Sequence, residues 1–247
     1  MTEDFLYVRL RARTASFRIP TILSGTQLSL TMPAYSTIIG LISYAIDDKY
    51  VLGGDKIGFR YAQESVAMDL EKSHRWKRDN KSGKITYNET NPRNRQVHYY
   101  PTLELFLSNL GLREAFEEPK QILTLGRSQD IAKIELVKTV KAEAVAEGKL
   151  RSTLLPLYND QEKERLDPVL MHMLSQGIIY TLPYDFLTDK VGYTRVPVGM
   201  QPFLALPHTS QDVTNIPNLY KTKQQSLEPD QSYPWEEEQT YFYCFSA

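Results

Sequence analysis

Only one cysteine, Cys244, occurs among 247 residues. That excludes an internal disulfide and any cysteine-based zinc site, and it fits a reducing, cytoplasmic compartment. No stretch approaches the roughly 18 consecutive apolar residues of a membrane-spanning helix. The opening "MTEDFLYVRLRART" places acids first and arginines among its apolar positions, unlike a secretory leader. A soluble protein with no membrane partner is expected. An excess of either charge is also lacking, with 29 basic against 30 acidic side chains, so attraction to nucleic acid must come from local patches.

Familiar catalytic signatures are missing as well. There is no phosphate-loop lysine motif, no Gly-rich dinucleotide fingerprint after a strand, no HExxH and no GxSxG. Four histidines, His74, His98, His172 and His208, stand far apart without ligand spacing. No cofactor and no metal are expected.

What is present is an apolar content of 41%, enough to fill a real core in one large domain or two small ones. Residues 5 to 13 alternate as a strand does. Leu6, Val8, Leu10 and Ala12 form one face and Phe5, Tyr7, Arg9, Arg11 and Arg13 the other. The second face reads either as a solvated surface or as one that stacks bases and attracts phosphates.

From Ser36, the residues Ile38, Leu41, Ile42, Ala45 and Ile46 follow helical spacing. Ser36 is expected to cap this helix, with Pro33 keeping the approach extended. Gly40 costs about 1 kcal/mol against alanine inside a helix, which predicts a close backbone approach there. Strand alternation returns at Ile57, Phe59 and Tyr61.

Residues 71 to 99 carry eight basic residues against three acidic ones, a local charge of +5, with Trp76, Tyr87, Tyr99 and Tyr100 in or beside them. Turn-forming "NKSG" and "NETNPRN" break this stretch, so it reads as an extended basic hairpin that binds phosphates. "PTLELFLSNLGLREAF" then supplies a strand and a helix. "QILTLGRSQDIAKIELVKTVKAE" resumes strand alternation, with a bulge or a close ligand approach expected at Gly126. The order is the βαββαβ unit of an α+β, ferredoxin-like (RRM-like) domain with a long insertion. The expected division is 1–145 for this domain, with the insertion at about 66–100, and 146–247 for a β-rich extension. That extension would hold a helix at "LDPVLMHML", capped by Asp167, and an acidic, proline-rich tail.

Two polar constellations stand out. Arg18 precedes the Ser36–Thr37 helix start, where free amides and the positive helix end suit a phosphate. In "LGRSQD", Arg127 and Ser128 follow a glycine that permits close backbone approach. Metal-independent RNA cleavage would need a base, an acid and a cation, for which His74, His98, Tyr99 and nearby lysines are candidates. The favoured reading is that these groups stack on or hydrogen-bond RNA, because nothing in the sequence makes a base and an acid converge.

The phrases "TASFRIP" (14–20), "TMPAYSTIIGLISYAI" (31–46) and "LGRSQD" (125–130) resemble the fifth family of CRISPR-associated Cas proteins, in the RAMP superfamily, and most nearly its type I-B branch. The likeness covers the first 145 residues; beyond them it is one of general character. It implies a non-catalytic subunit of the Cascade surveillance complex, with an RRM-like body and a thumb-like hairpin. Such a subunit holds the repeat-derived 5′ end of the CRISPR RNA and caps the backbone filament. It also contacts the large subunit, and through it target DNA. In the type I-C branch the corresponding protein is the processing ribonuclease, using a tyrosine, lysine and histidine group that has no clear position here. By motif position, Arg18, Ser36, Thr37, Arg127 and Ser128 would line the guide-binding groove. Lys72, Arg75, Lys77, Arg78, Arg93 and Arg95 would lie on the thumb.

Overall fold

Alternation at the N-terminus does give a strand, but one buried on both sides. The computed structural model describes residues 2–19, 25–159, 162–166, 173–188, 195–223 and 239–246. In chain order the main elements are β1 (Thr2–Ala12), α1 (Tyr35–Ile46), β2 (Ile57–Ala62), β3 (Ser65–Arg78), β4 (Ile85–Tyr99), β5 (Thr102–Leu107), α2 (Arg113–Glu117), β6 (Ala132–Ala144), β7 (Leu219–Lys223) and β8 (Gln239–Phe245). Six of the strands form a closed antiparallel barrel in the order β1, β5, β2, β8, β7, β6, with β6 pairing back onto β1.

Closure gives β1 an inside and an outside, and both are apolar. Phe5 and Phe242, on opposite strands, meet edge-on at 5.3 Å, and Phe106 stacks on Phe242 at 4.0 Å. Aromatic side chains thus fill the interior, as a small barrel requires. Leu6, Val8 and Leu10 point outward into the larger core beneath α1, with Ile38 and Ile42. Phe5, Tyr7 and Arg9 therefore do not make a stacking surface; Arg9 is only 8% exposed. It joins a buried polar cluster in which Arg60 Nε and Nη2 donate to Glu104 at 2.8 and 2.5 Å. Tyr7 also donates to Glu104, and Arg9 Nε donates to Tyr7 at 3.2 Å. A buried carboxylate needs such partners to remain charged.

Two expectations for α1 change. Its N-cap is Ala34, extended and without a side-chain cap, so Ser36 lies inside the first turn. The amides of Thr37 and Ile38 donate to the Ala34 carbonyl at 2.9 and 3.2 Å. A Cβ on Gly40 would meet nothing within 4 Å, so no close approach requires that glycine. Asp47 closes the helix in the left-handed region at φ 56°.

Strands β6, β1, β5 and β2 are neighbours in that order, joined through α1 and α2. β7 and β8 then fill the gap between β6 and β2, so segments on both sides of residue 145 share one barrel. A three-stranded sheet of Leu154–Pro156, Gln201–Ala205 and Ile178–Leu182 packs beside α1. Tyr35 anchors it, donating to the Leu154 carbonyl at 3.0 Å and stacking on Phe245 at 4.5 Å. The helix expected at "LDPVLMHML" with its Asp167 cap, and most of the acidic tail, lie outside the described residues.

β3 and β4 form the expected hairpin. They pair in register from Ser65 opposite Tyr99 to Arg78 opposite Ile85, with one bulge between Arg75 and Trp76. Its turn is built by Asp79, which accepts from the amides of Lys81 and Ser82 at 3.0 and 2.6 Å. Most of its side chains are exposed.

Candidate nucleic-acid interface

Where the hairpin meets the barrel, segments distant in sequence converge on a groove of about 790 Å³. Arg18, Ser36, Thr37, Arg127 and Ser128 line it, together with Arg95 from the root of β4. The structure thus unites the two polar constellations read separately along the chain.

Gly126 holds them together. It adopts φ +107°, and a Cβ there would lie 2.2 Å from the Ser16 carbonyl oxygen, so only glycine lets the 125–128 loop lie against the segment carrying Arg18. The Ser16 amide donates to the Leu125 carbonyl at 3.4 Å. The close approach at Gly126 is thus made by protein backbone, where the sequence suggests a bulge or a ligand.

Asp130 sets the loop's charge. It is 1% exposed and accepts from Thr14 Oγ1 at 2.6 Å and from Arg127 N, Nε and Nη2 at 3.1, 2.9 and 2.8 Å. The hydrogen bonds to Asp130 raise the Arg127 pKa. Arg127 Nη1 is buried without a hydrogen-bond partner among the described residues, 3.9 Å from Glu71 Oε1. Arg95 Nε donates to the other Glu71 oxygen at 2.8 Å. Arg127 and Arg95 are therefore clamped, whereas Arg18 is exposed and has no ion pair among the described residues.

The first turn of α1 brings Ser36 and Thr37 to the same groove, with the positive end of a twelve-residue helix behind them. The same groove is also lined by the apolar side chains of Leu41, Tyr44, Ile122, Ile131 and Phe186. Ile122 is 69% exposed. A groove lined by both cationic and apolar side chains suits a chain of phosphates carrying flat bases. The sequence does not reveal these apolar lining residues, because Tyr44 and Ile122 look like ordinary surface residues until the fold brings both to the groove.

Cross-strand register sorts the hairpin residues into two faces. Lys72, His74, Trp76 and Arg78 share one face with Tyr87, as the His74–Tyr87 and Trp76–Tyr87 ring contacts at 6.3 and 5.8 Å confirm. Arg75, Lys77, Arg93 and Arg95 lie on the other with Asp69, Glu71 and Glu89. There Arg75 Nη1 donates to Glu89 at 2.9 Å.

Residues 5–185 match the family described as CRISPR-associated protein (Cas_Cas5). The chain belongs to that family. Its fold is shared with a chain of a CRISPR RNA-guided surveillance complex, at a TM-score of 0.50 and 12% identity, covering 85% of this chain and 91% of the other. A chain of the Type III-B Cmr-beta complex bound to cognate target RNA gives 0.47 at 12% identity over 86% of each chain. A CRISPR protein from Archaeoglobus fulgidus gives 0.44 at 10% identity over 90% and 96%. Among curated proteins none matches.

In this Cas family member the two candidate histidines, His74 and His98, do not come together. His98 is 1% exposed, and its Nδ1 is hydrogen-bonded to Tyr61 at 2.8 Å, with Phe17 edge-on at 5.9 Å. Burial first, and the His208 charge second, push it down to about 4. His74 pairs with Thr90, eight positions from His98 along β4, which separates the two histidines by roughly 26 Å.

Proposed function

We propose that this protein is a non-catalytic subunit of a type I-B Cascade surveillance complex. It holds the repeat-derived 5′ end of the CRISPR RNA, caps the backbone filament and contacts the large subunit, working in the cytoplasm. The observation that carries this reading is the groove itself. In a chain of the Cas family, it gathers Arg18, the Ser36–Thr37 helix start and the Arg127–Ser128 loop at the root of a basic hairpin. The ferredoxin-like reading of the body is supported by the neighbour order β6, β1, β5, β2 reached through two helical connections.

The test is binding of the repeat's 5′ segment by the full-length protein across a salt series. Affinity should fall with salt, and Arg18→Glu should weaken it at least tenfold while leaving the melting temperature unchanged, because Arg18 is exposed. No binding by the wild-type protein would overturn the reading.

The alternative, an endoribonuclease acting on repeat RNA, is weakened by the burial of His98 and its distance from His74. Precursor RNA incubated with the protein and EDTA should stay intact. Specific cleavage lost in His74→Ala would replace the non-catalytic reading.

A further inference from the structure

The hairpin's overall charge conceals a division between its faces. We infer that, beyond its root, where Arg95 lines the groove, it engages single-stranded RNA through one face only, with bases stacked on Trp76, Tyr87 and His74 and phosphates held by Lys72 and Arg78. This rests on the RNA-binding reading above and deepens it, since the sequence treats Arg75, Lys77, Arg93 and Arg95 as equal contributors.

Carboxylates make the distinction. All three acids of the paired strands, Asp69, Glu71 and Glu89, lie on the opposite face. There they neutralise Arg75 and Arg95 directly, through Glu89 and Glu71. A polyanion approaching that side meets three carboxylates interleaved with its four cations. The face bearing Trp76 has no carboxylate on either strand, and its cations are Lys72 and Arg78.

The same face exposes large apolar rings, with Trp76 65% and Tyr87 52% accessible. Exposed aromatics grouped in this way mark a contact surface rather than an unfinished core. Thr90 orders them: its hydroxyl meets His74 Nδ1 at 2.9 Å and the Tyr87 hydroxyl at 2.5 Å. Rings already held in place lose little freedom when a base arrives. Along β3 the residues Lys72, His74, Trp76 and Arg78 recur every second position, roughly 7 Å apart, so rings and cations share one track. Flat bases joined by phosphates fit rings flanked by cations and free of acids, whereas an apolar protein surface would leave Lys72 and Arg78 unpaired.

The experiment uses the full-length protein carrying Trp235→Phe, which leaves Trp76 as the sole tryptophan of the two in the chain. Titration with the single-stranded 5′ segment should quench Trp76 fluorescence. Trp76→Ala and Tyr87→Ala should each weaken binding at least fivefold or so without altering its salt dependence. Lys72→Ala with Arg78→Ala should instead reduce the salt slope by about 1.4. Arg75→Ala should stay within about twofold of wild type.

Absence of quenching, with Trp76→Ala binding as wild type, overturns the inference. If Arg18→Glu still weakens binding in that case, the groove and the proposed function stand without it. A Trp76→Ala protein that binds RNA normally but fails to assemble with the backbone subunit also overturns it, making the face a protein contact.

Discussion

The backbone of Gly126 lies so close to Ser16 that an added Cβ would sit 2.2 Å from the Ser16 carbonyl oxygen. Gly126→Ala should therefore destabilise the protein by more than about 2 kcal/mol, combining the clash with the strain of a positive φ. Urea unfolding measures this. Because the loop carries Arg127 and Ser128, RNA affinity should fall with it.

Gly40 makes the opposite case. Its Cβ direction is open, and the residue lines the groove in the middle of α1. Gly40→Ala should stabilise the helix by about 0.5–1 kcal/mol in the same urea assay. Gly40→Glu should keep the fold and weaken RNA binding, since it places a carboxylate where phosphates would pass.

His98 predicts a pH dependence. Its folded pKa is about 4, below the ordinary value of 6.5, so the unfolded chain takes up a proton that the folded chain refuses. Stability should be full above about pH 6.5 and fall as pH drops toward 4, by about 3 kcal/mol. Urea midpoints between pH 8 and pH 4 test this. Burial and the Arg151 charge lower His208 too, so His98→Gln should flatten the slope without abolishing it.

Removing Asp130 should be costly. Asp130→Ala strands Thr14 and leaves a guanidinium 13% exposed with only the more distant Glu71 and Asp69 near it among the described residues, which predicts a loss of about 3 kcal/mol. Asp130→Asn should recover part of it. By contrast, a double-mutant cycle on the exposed Arg75–Glu89 pair should give less than about 1 kcal/mol.

The sequence made some of this legible and hid the rest for physical reasons. Helix α1 was readable because its apolar spacing is local, yet its start was misread at Ser36, because a hydroxyl near a helix end does not oblige the chain to use it. The strand at β1 was readable, but the fate of Phe5 and Tyr7 was not. Their burial depends on Tyr220 and Phe242, more than 200 residues away, closing the barrel over them. Arg18 and Arg127 were visible as candidates, whereas the role of Asp130 emerges only when Thr14 arrives beside it. On the hairpin the parity of Asp69 and Glu71 against Lys72, His74 and Trp76 was present in the sequence. It gained meaning once the bulge after Arg75 fixed Tyr87 opposite Trp76.

Because β8 pairs with β2, Cys244 opposite Gly58, the ring of strands cannot shut until residues 239–245 have been synthesised. During translation β1, β2, β5 and β6 must wait with one face bare. Joining partners so far apart in the chain carries a large loop-closure cost before any contact rewards it. Maturation should accordingly be slow, and the half-made sheet is the species that a chaperone would have to shield from aggregation.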